Sequence, residues 1–360
     1  MTRLIFSVLL VTLCAPPGGA QSPGWLLQAC PFLGGSFFPQ TASATPEAVT
    51  IVLPPRVVAG EQATLAVLDG EGRLLPDVSV ELAGGEKVKT DPTGRASFAA
   101  PSSGSVLLAK AAGASAAALV DAVAPAIAPN DIKVPPVLSL HDRFSICGAS
   151  FRGDADANRI ALNGVPALVL AASPECVVAL PAPTAQPGPA KISFEIAGVA
   201  WASATAVVSL EFAPPDPPLA LERTSSLRLR VEGSASPLDI MVENQTPDVL
   251  RFLRGDTQEL RTSGGVSNSA AVAVRAIRSG DFSFHARLAR IPDPETARRF
   301  VAAAETLAPG DARSKVNRLA EKIARHSGDI AKVRRELDNL LAAAASGDFR
   351  ALLAAARSAL

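Results

Sequence analysis

Three histidines, four cysteines and one closely spaced acidic run are the residues of this chain best equipped for chemistry. His141, His285 and His326 fall in three separate stretches, so a metal cluster or a nucleophile–base pair would need distant segments to converge. Nothing in their spacing indicates that convergence. The chain also has no G-x-S-x-G elbow, no H-E-x-x-H helix and no G-x-x-x-x-G-K-[ST] phosphate loop. Asp154, Asp156 and Asn158 carry oxygens at alternate positions, as a calcium loop does. Arg159 then stands where a helix–loop–helix calcium loop needs Gly, and Val165 where it needs a bidentate Glu, so the segment reads as an inter-strand loop. Paired carboxylates are recognised by separation in space, and no pair is singled out by sequence. The expectation is a protein that is not an enzyme, with no catalytic residue, no metal site and no cofactor.

The elements around these residues begin with an export signal. Arg3, the apolar run Leu4 to Leu13 and the small residues of Pro16-Pro17-Gly18-Gly19-Ala20 have the three-part layout of a signal peptide over 1–20, cleaved between Ala20 and Gln21. The run is shorter than the roughly 20 residues a bilayer span needs, and no later segment supplies one. Cys14 follows Val11-Thr12-Leu13, but Leu13 is bulky for a lipidation site, so a lipoprotein is the weaker reading. A secreted or periplasmic product of the cell envelope is expected, in an oxidising compartment.

With 34 basic and 34 acidic residues the formal net charge is zero, so no global field attracts nucleic acid or an anionic membrane surface. Aromatic residues make up 4%, Tyr is absent, and Trp25 and Trp201 are the only tryptophans. Stacking platforms for sugars or bases are therefore scarce, which makes a carbohydrate ligand a weak expectation.

Period-two alternation and regularly spaced turns dominate up to residue 292. Residues 21–46, rich in Gly, Pro, Ser and Thr, read as a leader or linker. Over 47–123, Thr64, Ala66 and Leu68 alternate with Leu65 and Val67, and Val78, Val80 and Leu82 take every second place. The run Ala66 to Gly72, then Pro76 to Val80, then Thr90 to Ala96, resembles the bacterial Ig-like domains of invasin-type proteins. Over 124–213, a strand ends in Gly148-Ala149-Ser150-Phe151 and is followed by Asn163-Gly164, Ser173, Pro181, Gly188 and Gly198. That spacing resembles an IPT/TIG domain, which implies an immunoglobulin-like β-sandwich; Cys147 and Cys176 depart from the family's usual residues. Such domains also occur in DNA-binding factors, but export and the lack of a Lys/Arg stripe argue against nucleic acid. Residues 214–292, with Leu227, Leu229 and Val231 alternating, read as a third sandwich-like domain.

Signal removal leaves Cys30, Cys147 and Cys176, an odd number. Cys147 with Cys176 is the candidate disulfide, since both lie on expected strands of one sandwich. Parity argues otherwise: Phe144 and Ile146 put Cys147 on the far face of its strand, whereas Cys176 shares the parity of Val178 and Leu180. Two separate buried thiols, or a bond from Cys30 to either one or to a partner chain, remain open.

From 293 to 360 the period becomes helical, with Asp293 as N-cap and Pro294 at the first helical position. Phe300, Val301, Ala304 and Leu307, then Val316, Leu319, Ala320 and Ile323, then Ile330, Val333, Leu337, Leu340 and Leu341, form three stripes, and Gly347-Asp348 opens a last segment. These stripes require cover, from a small bundle, the third sandwich or another protein. The fold class expected is mainly β, tandem Ig-like sandwiches followed by a C-terminal α-helical unit. The function expected is protein–protein or cell-surface interaction, with an accessory carbohydrate or polymer binder and a structural spacer as the alternatives.

Overall fold

A computed structural model describes residues 49–360 apart from 103, 124–131, 149, 197–198, 217–218, 254, 326–329 and 346. The expected signal, the cleavage point at Ala20 and Gln21, the leader with Trp25 and Cys30, and His326 lie outside the described residues. The chain is mainly β, with tandem Ig-like sandwiches followed by a helical unit.

The first sandwich is built from β1 (Thr50–Val52), β2 (Arg56–Val58), β3 (Gln62–Leu68), β4 (Ser79–Leu82), β5 (Lys87–Lys89), β6 (Arg95–Ala99), β7 (Val106–Ala111) and β8 (Ala114–Asp121). One sheet carries β1, β3 and β6, and the other runs β2-β8-β7-β4-β5. Leu65, Val67, Val80, Leu107 and Val120 fill the space between them. The D-x-x-G turns have a mechanism: Asp69 Oδ1 accepts from the N–H groups of Glu71 and Arg73, and Asp91 Oδ1 from those of Thr93 and Arg95. Gly94, at φ +73°, closes the second turn where a Cβ would lie 2.7 Å from that of Leu74.

The second sandwich holds β9 (Val137–Ser139), β10 (Phe144–Cys147), β11 (Ile160–Leu162), β12 (Val165–Pro166), β13 (Leu168–Ala172), β14 (Cys176–Leu180), β15 (Gly188–Ile196) and β16 (Val199–Phe212) around Ile146, Val177, Ile192, Phe194 and Val207. The third holds β17 (Thr224–Glu232), β18 (Asp239–Asn244), β19 (Leu250–Phe252), β20 (Thr257–Arg261), β21 (Ser269–Ala276) and β22 (Phe284–Leu288) around Leu229, Ile240, Leu250 and Val274.

The three sandwiches share sheets. Ala172 of β13 pairs with Thr64 of β3, which joins strands of the first and second cores into one six-stranded sheet. β16 pairs with β15 and β9 beside the second core and with β17 beside the third, inside an eight-stranded sheet. Its 14 residues extend about 45 Å at the strand rise of roughly 3.3 Å per residue. Where units meet, strands are buried on both faces: every residue of β3 after Gln62 is buried, as are the first four of β14.

The helices α1 (Pro294–Leu307), α2 (Gly310–Ala324), α3 (Ile330–Ala343) and α4 (Asp348–Ala359) turn the expected stripes inward. Asp293 caps α1 through the N–H of Thr296. The third sandwich had been one expected cover, yet the bundle packs on the first: Leu119, with Val106, Leu108 and Ala117, joins the cluster of Phe300, Val301, Leu337 and Leu353. Ala118 and Val120 face the sandwich core, so the end of β8 is apolar on both sides. Lys110 pairs with Asp348 at the start of α4, 2.5 Å away. The third sandwich meets the bundle through Arg334, 3.0 Å from Glu259.

Candidate functional site

Cys147 and Cys176 are joined in a disulfide. They are direct cross-strand partners of β10 and β14, with Cα atoms 4.2 Å apart. The N–H of Gly148 bonds to the carbonyl of Glu175, which makes the cysteines a non-hydrogen-bonded pair, the closely spaced kind in an antiparallel ladder. The parity objection fails because it assigned Val178 and Leu180 to the core shared with Phe144 and Ile146. That core takes Val177 and Ala179 instead, while Val178 and Leu180 pack with Val52, Ala66 and Leu68 of the first sandwich. β14 is apolar on both faces, so alternation alone could not choose between them.

The acidic run is a joint rather than a cation loop. Asp154 caps a single turn, Ala155–Ala157, through the N–H of Asp156. The Asn158 amide donates to the carbonyls of Arg152 and Asp154, and its oxygen accepts from the Arg152 N–H. Asp156 pairs with Arg95 of the first sandwich. Thr64 donates to the carbonyl of Gly153 at 2.6 Å and accepts from the N–H of Ala155 at 3.3 Å. Gly153 presses so close to β3 that a Cβ would sit 1.9 Å from the Gln62 carbonyl oxygen. A cavity of about 300 Å³ beside this joint is lined by Arg152, Asn158, Arg159 and Glu195, and its amide is already used internally.

Four charges meet where the first sandwich, the second sandwich and α1 touch. Arg56 of β2 lies 3.5 Å from Asp121 at the end of β8 and 3.6 Å from Glu175 in the β13–β14 turn. Arg299 of α1 lies 2.6 Å from the other oxygen of Asp121 and donates to the carbonyl of Val120. Arg56 also donates to Thr296, and Ser173 donates to the carbonyl of Arg56 at 2.6 Å. Glu175 is the most enclosed member, its side chain 9% exposed against 21% for Asp121. Its Oε2 is buried with no hydrogen-bond partner. Burial, followed by the neighbouring charge of Asp121, raises the Glu175 carboxyl to about 7. Sequence reasoning passed over all four groups. A signal existed: Asp121 ends the apolar run Ala116 to Val120, and Glu175 sits between two apolar strands.

Two of the three histidines, His141 and His285, lie among the described residues. His285 of β22 lies 3.4 Å from Asp142, which links the third sandwich to the β9–β10 turn, and the second oxygen of Asp142 is buried without a partner. His141 is held below the usual histidine range by partial burial. No group of three or more His, Cys, Asp or Glu side chains that could hold a metal occurs among the described residues.

The outer edge of β16 is open over part of its length. Ala206 of β16 donates outward to the carbonyl of Pro136. Alternation therefore puts the N–H and C=O of Ala200, Ala202 and Ala204 on the same outer edge. No backbone hydrogen bond reaches these groups from the described residues. The segment Val199-Ala200-Trp201-Ala202-Ser203-Ala204-Thr205 has neither charge nor proline. Four other edges are guarded or short: β5 reads Lys-Val-Lys, β12 ends in Pro166, β20 carries Glu259 and Arg261, and β19 has three residues. Trp201 packs against the second core, which takes it out of use as an open stacking platform.

No family model matches the chain, and no curated protein does. Among solved structures, the full extracellular region of plexin A4 is 11% identical at a TM-score of 0.25 and covers 69% of this chain, which in turn spans 24% of the plexin chain. The N-terminal four Ig domains of Dscam1 give 11% identity, a TM-score of 0.22 and coverage of 65% of this chain and 73% of that one. Invasin, a bacterial integrin-binding protein, gives 14%, 0.18, and 68% and 57%.

Proposed function

We propose that the chain is an exported, non-enzymatic Ig-like protein that binds another protein in the bacterial envelope or outside the cell, and that its recruiting surface is the edge of β16 at Val199–Thr205. On this reading the first sandwich is of the invasin type and the second of the IPT/TIG type. The observation that carries it is the row of outward N–H and C=O groups on an uncharged seven-residue edge. Such an edge accepts an extended peptide as an added strand, with main-chain bonds giving affinity and alternate side chains giving choice. The helices are a poorer docking element, because their apolar stripes are already spent on one another and on β8.

Ala202→Pro is the decisive variant. It removes one outward donor and leaves the bonds to β15, which belong to the alternate residues, in place. Affinity capture would use the tagged chain from Gln21 in culture fluid and envelope extract. A protein held by the unaltered chain and lost from Ala202→Pro, at an unchanged melting temperature, is the expected result. Retention by the variant would move the surface elsewhere, capture of polysaccharide alone would favour the carbohydrate reading, and capture of nothing would leave a spacer.

A further inference from the structure

We propose that Arg56, Asp121, Glu175 and Arg299 form a proton-operated latch among the first sandwich, the second sandwich and the helical unit, closed while Glu175 and Asp121 share one proton and loosened when that proton leaves. The geometry has the parts this needs. A side-chain hydrogen bond joins Glu175 to Asp121, so a protonated Glu175 donates to the Asp121 carboxyl, whose two oxygens also meet Arg56 and Arg299. No atom beyond that one proton changes place.

Among the described residues, three charged neighbours act on Glu175. β8 presents Asp121, β2 presents Arg56 and α1 presents Arg299. Asp293, the N-cap that precedes α1, stays ionised: burial raises it, but the Thr296 hydrogen bonds and the charges of Arg56 and Lys133 hold it below the usual range. When Glu175 loses its proton, a second carboxylate charge faces Asp121 in an enclosed site, and the Oε2 atom has no donor to meet it. Opening to water relieves both problems. Since Arg299 and Thr296 lie in the first two turns of α1, that helix and the end of β8 give way first.

The direction in pH follows. Glu175 has a folded value of about 7 against an ordinary 4.5, so the latched state holds the proton more tightly than an opened one. Its contribution is complete below 4.5 and disappears as pH rises through about 7. Between about pH 5.5 and about pH 8, linkage gives roughly a thirtyfold loss of latch stability.

The test is amide hydrogen exchange on the full chain, corrected for intrinsic rates, at the start of α1, at Val120–Asp121 and in the β13–β14 turn. Protection there should fall about thirtyfold over that interval while the third sandwich keeps its protection. Glu175→Gln, neutral at every pH, should stay latched throughout. Asp121→Asn removes the facing charge and should move the midpoint down toward the ordinary glutamate range. Equal protection of the unaltered chain at both pH values would overturn the latch, as would a Glu175→Gln chain that still loosens.

Discussion

Replacing Leu119 with alanine would separate the helical unit from the sandwich beneath it. Leu119 is fully buried and is the one fully enclosed side chain that β8 contributes to the helix cluster. Leucine to alanine removes hydrocarbon worth about 0.8 kcal/mol per buried CH₂, and the cavity left behind raises buried cases to about 2–5 kcal/mol. The sheet on one side cannot collapse without disturbing Ala118 and Val120 in the first core, so about 3 kcal/mol is expected here. At about 1.4 kcal/mol per tenfold, exchange protection along α1 and α4 should drop about a hundredfold. Leu107→Ala is the control: it lies on β7, is 1% exposed, and points into the sandwich core instead. It should weaken all eight strands of the first unit together with the helices. A cost below about 1 kcal/mol for Leu119→Ala, or matching exchange profiles for the two variants, would refute helix docking on β8.

Two further outcomes concern the seam between the first and second sandwiches. Gly153→Ala forces a Cβ against the Gln62 carbonyl oxygen, a contact of 1.9 Å before relaxation, and should cost about 1–3 kcal/mol as an overpacking change. Limited proteolysis should then reveal new cleavage near 150–158, and a variant as resistant as the parent would show that the joint is loose already. The Cys147–Cys176 bond closes a loop of 29 residues, for which chain entropy gives about 3–4 kcal/mol. Replacing both cysteines with alanine should lower stability to denaturant by that amount, and a loss under about 1 kcal/mol would mean that β10 and β14 stay paired without it.

Much of this fold was legible because period-two and period-3.6 patterns report which face of an element is covered. Leu227, Leu229 and Val231 alternate with exposed neighbours and belong to a strand with one wet face. Val316, Leu319 and Ile323 are buried on α2 as their spacing implies. Reasoning faltered where a strand is covered on both sides, since an unbroken apolar run carries no parity. Leu65-Ala66-Val67-Leu68, Ala117-Ala118-Leu119-Val120 and Val177-Val178-Ala179-Leu180 are runs of this kind. Each lies where one unit meets another, so the feature that obscured the disulfide faces and the helix docking also marks the seams. The charge junction was hidden for another reason: its four members are brought together by chain segments far apart in sequence, from Arg56 to Arg299.

Shared sheets also change how a partner must be sought. If the helices hung free, deleting everything after Asp293 would be a clean test of whether they recruit a partner. They instead cover Leu119, Val106, Leu108 and Ala117, so that truncation uncovers an apolar sheet face and removes Arg299 from the junction at Asp121. A partner lost on truncation could reflect a loosened first sandwich, and one gained could reflect adhesion to the new face. Point changes that keep every core closed avoid both confusions. Ala202→Pro acts on exposed backbone at one edge, Glu175→Gln on one proton at one junction, and the two sites lie in different sheets. Binding that responds to Ala202→Pro but not to pH would separate recruitment from the latch. Binding that responds to both, with Glu175→Gln abolishing only the pH response, would mean that the junction controls access to the β16 edge through the second sandwich, which contributes to both.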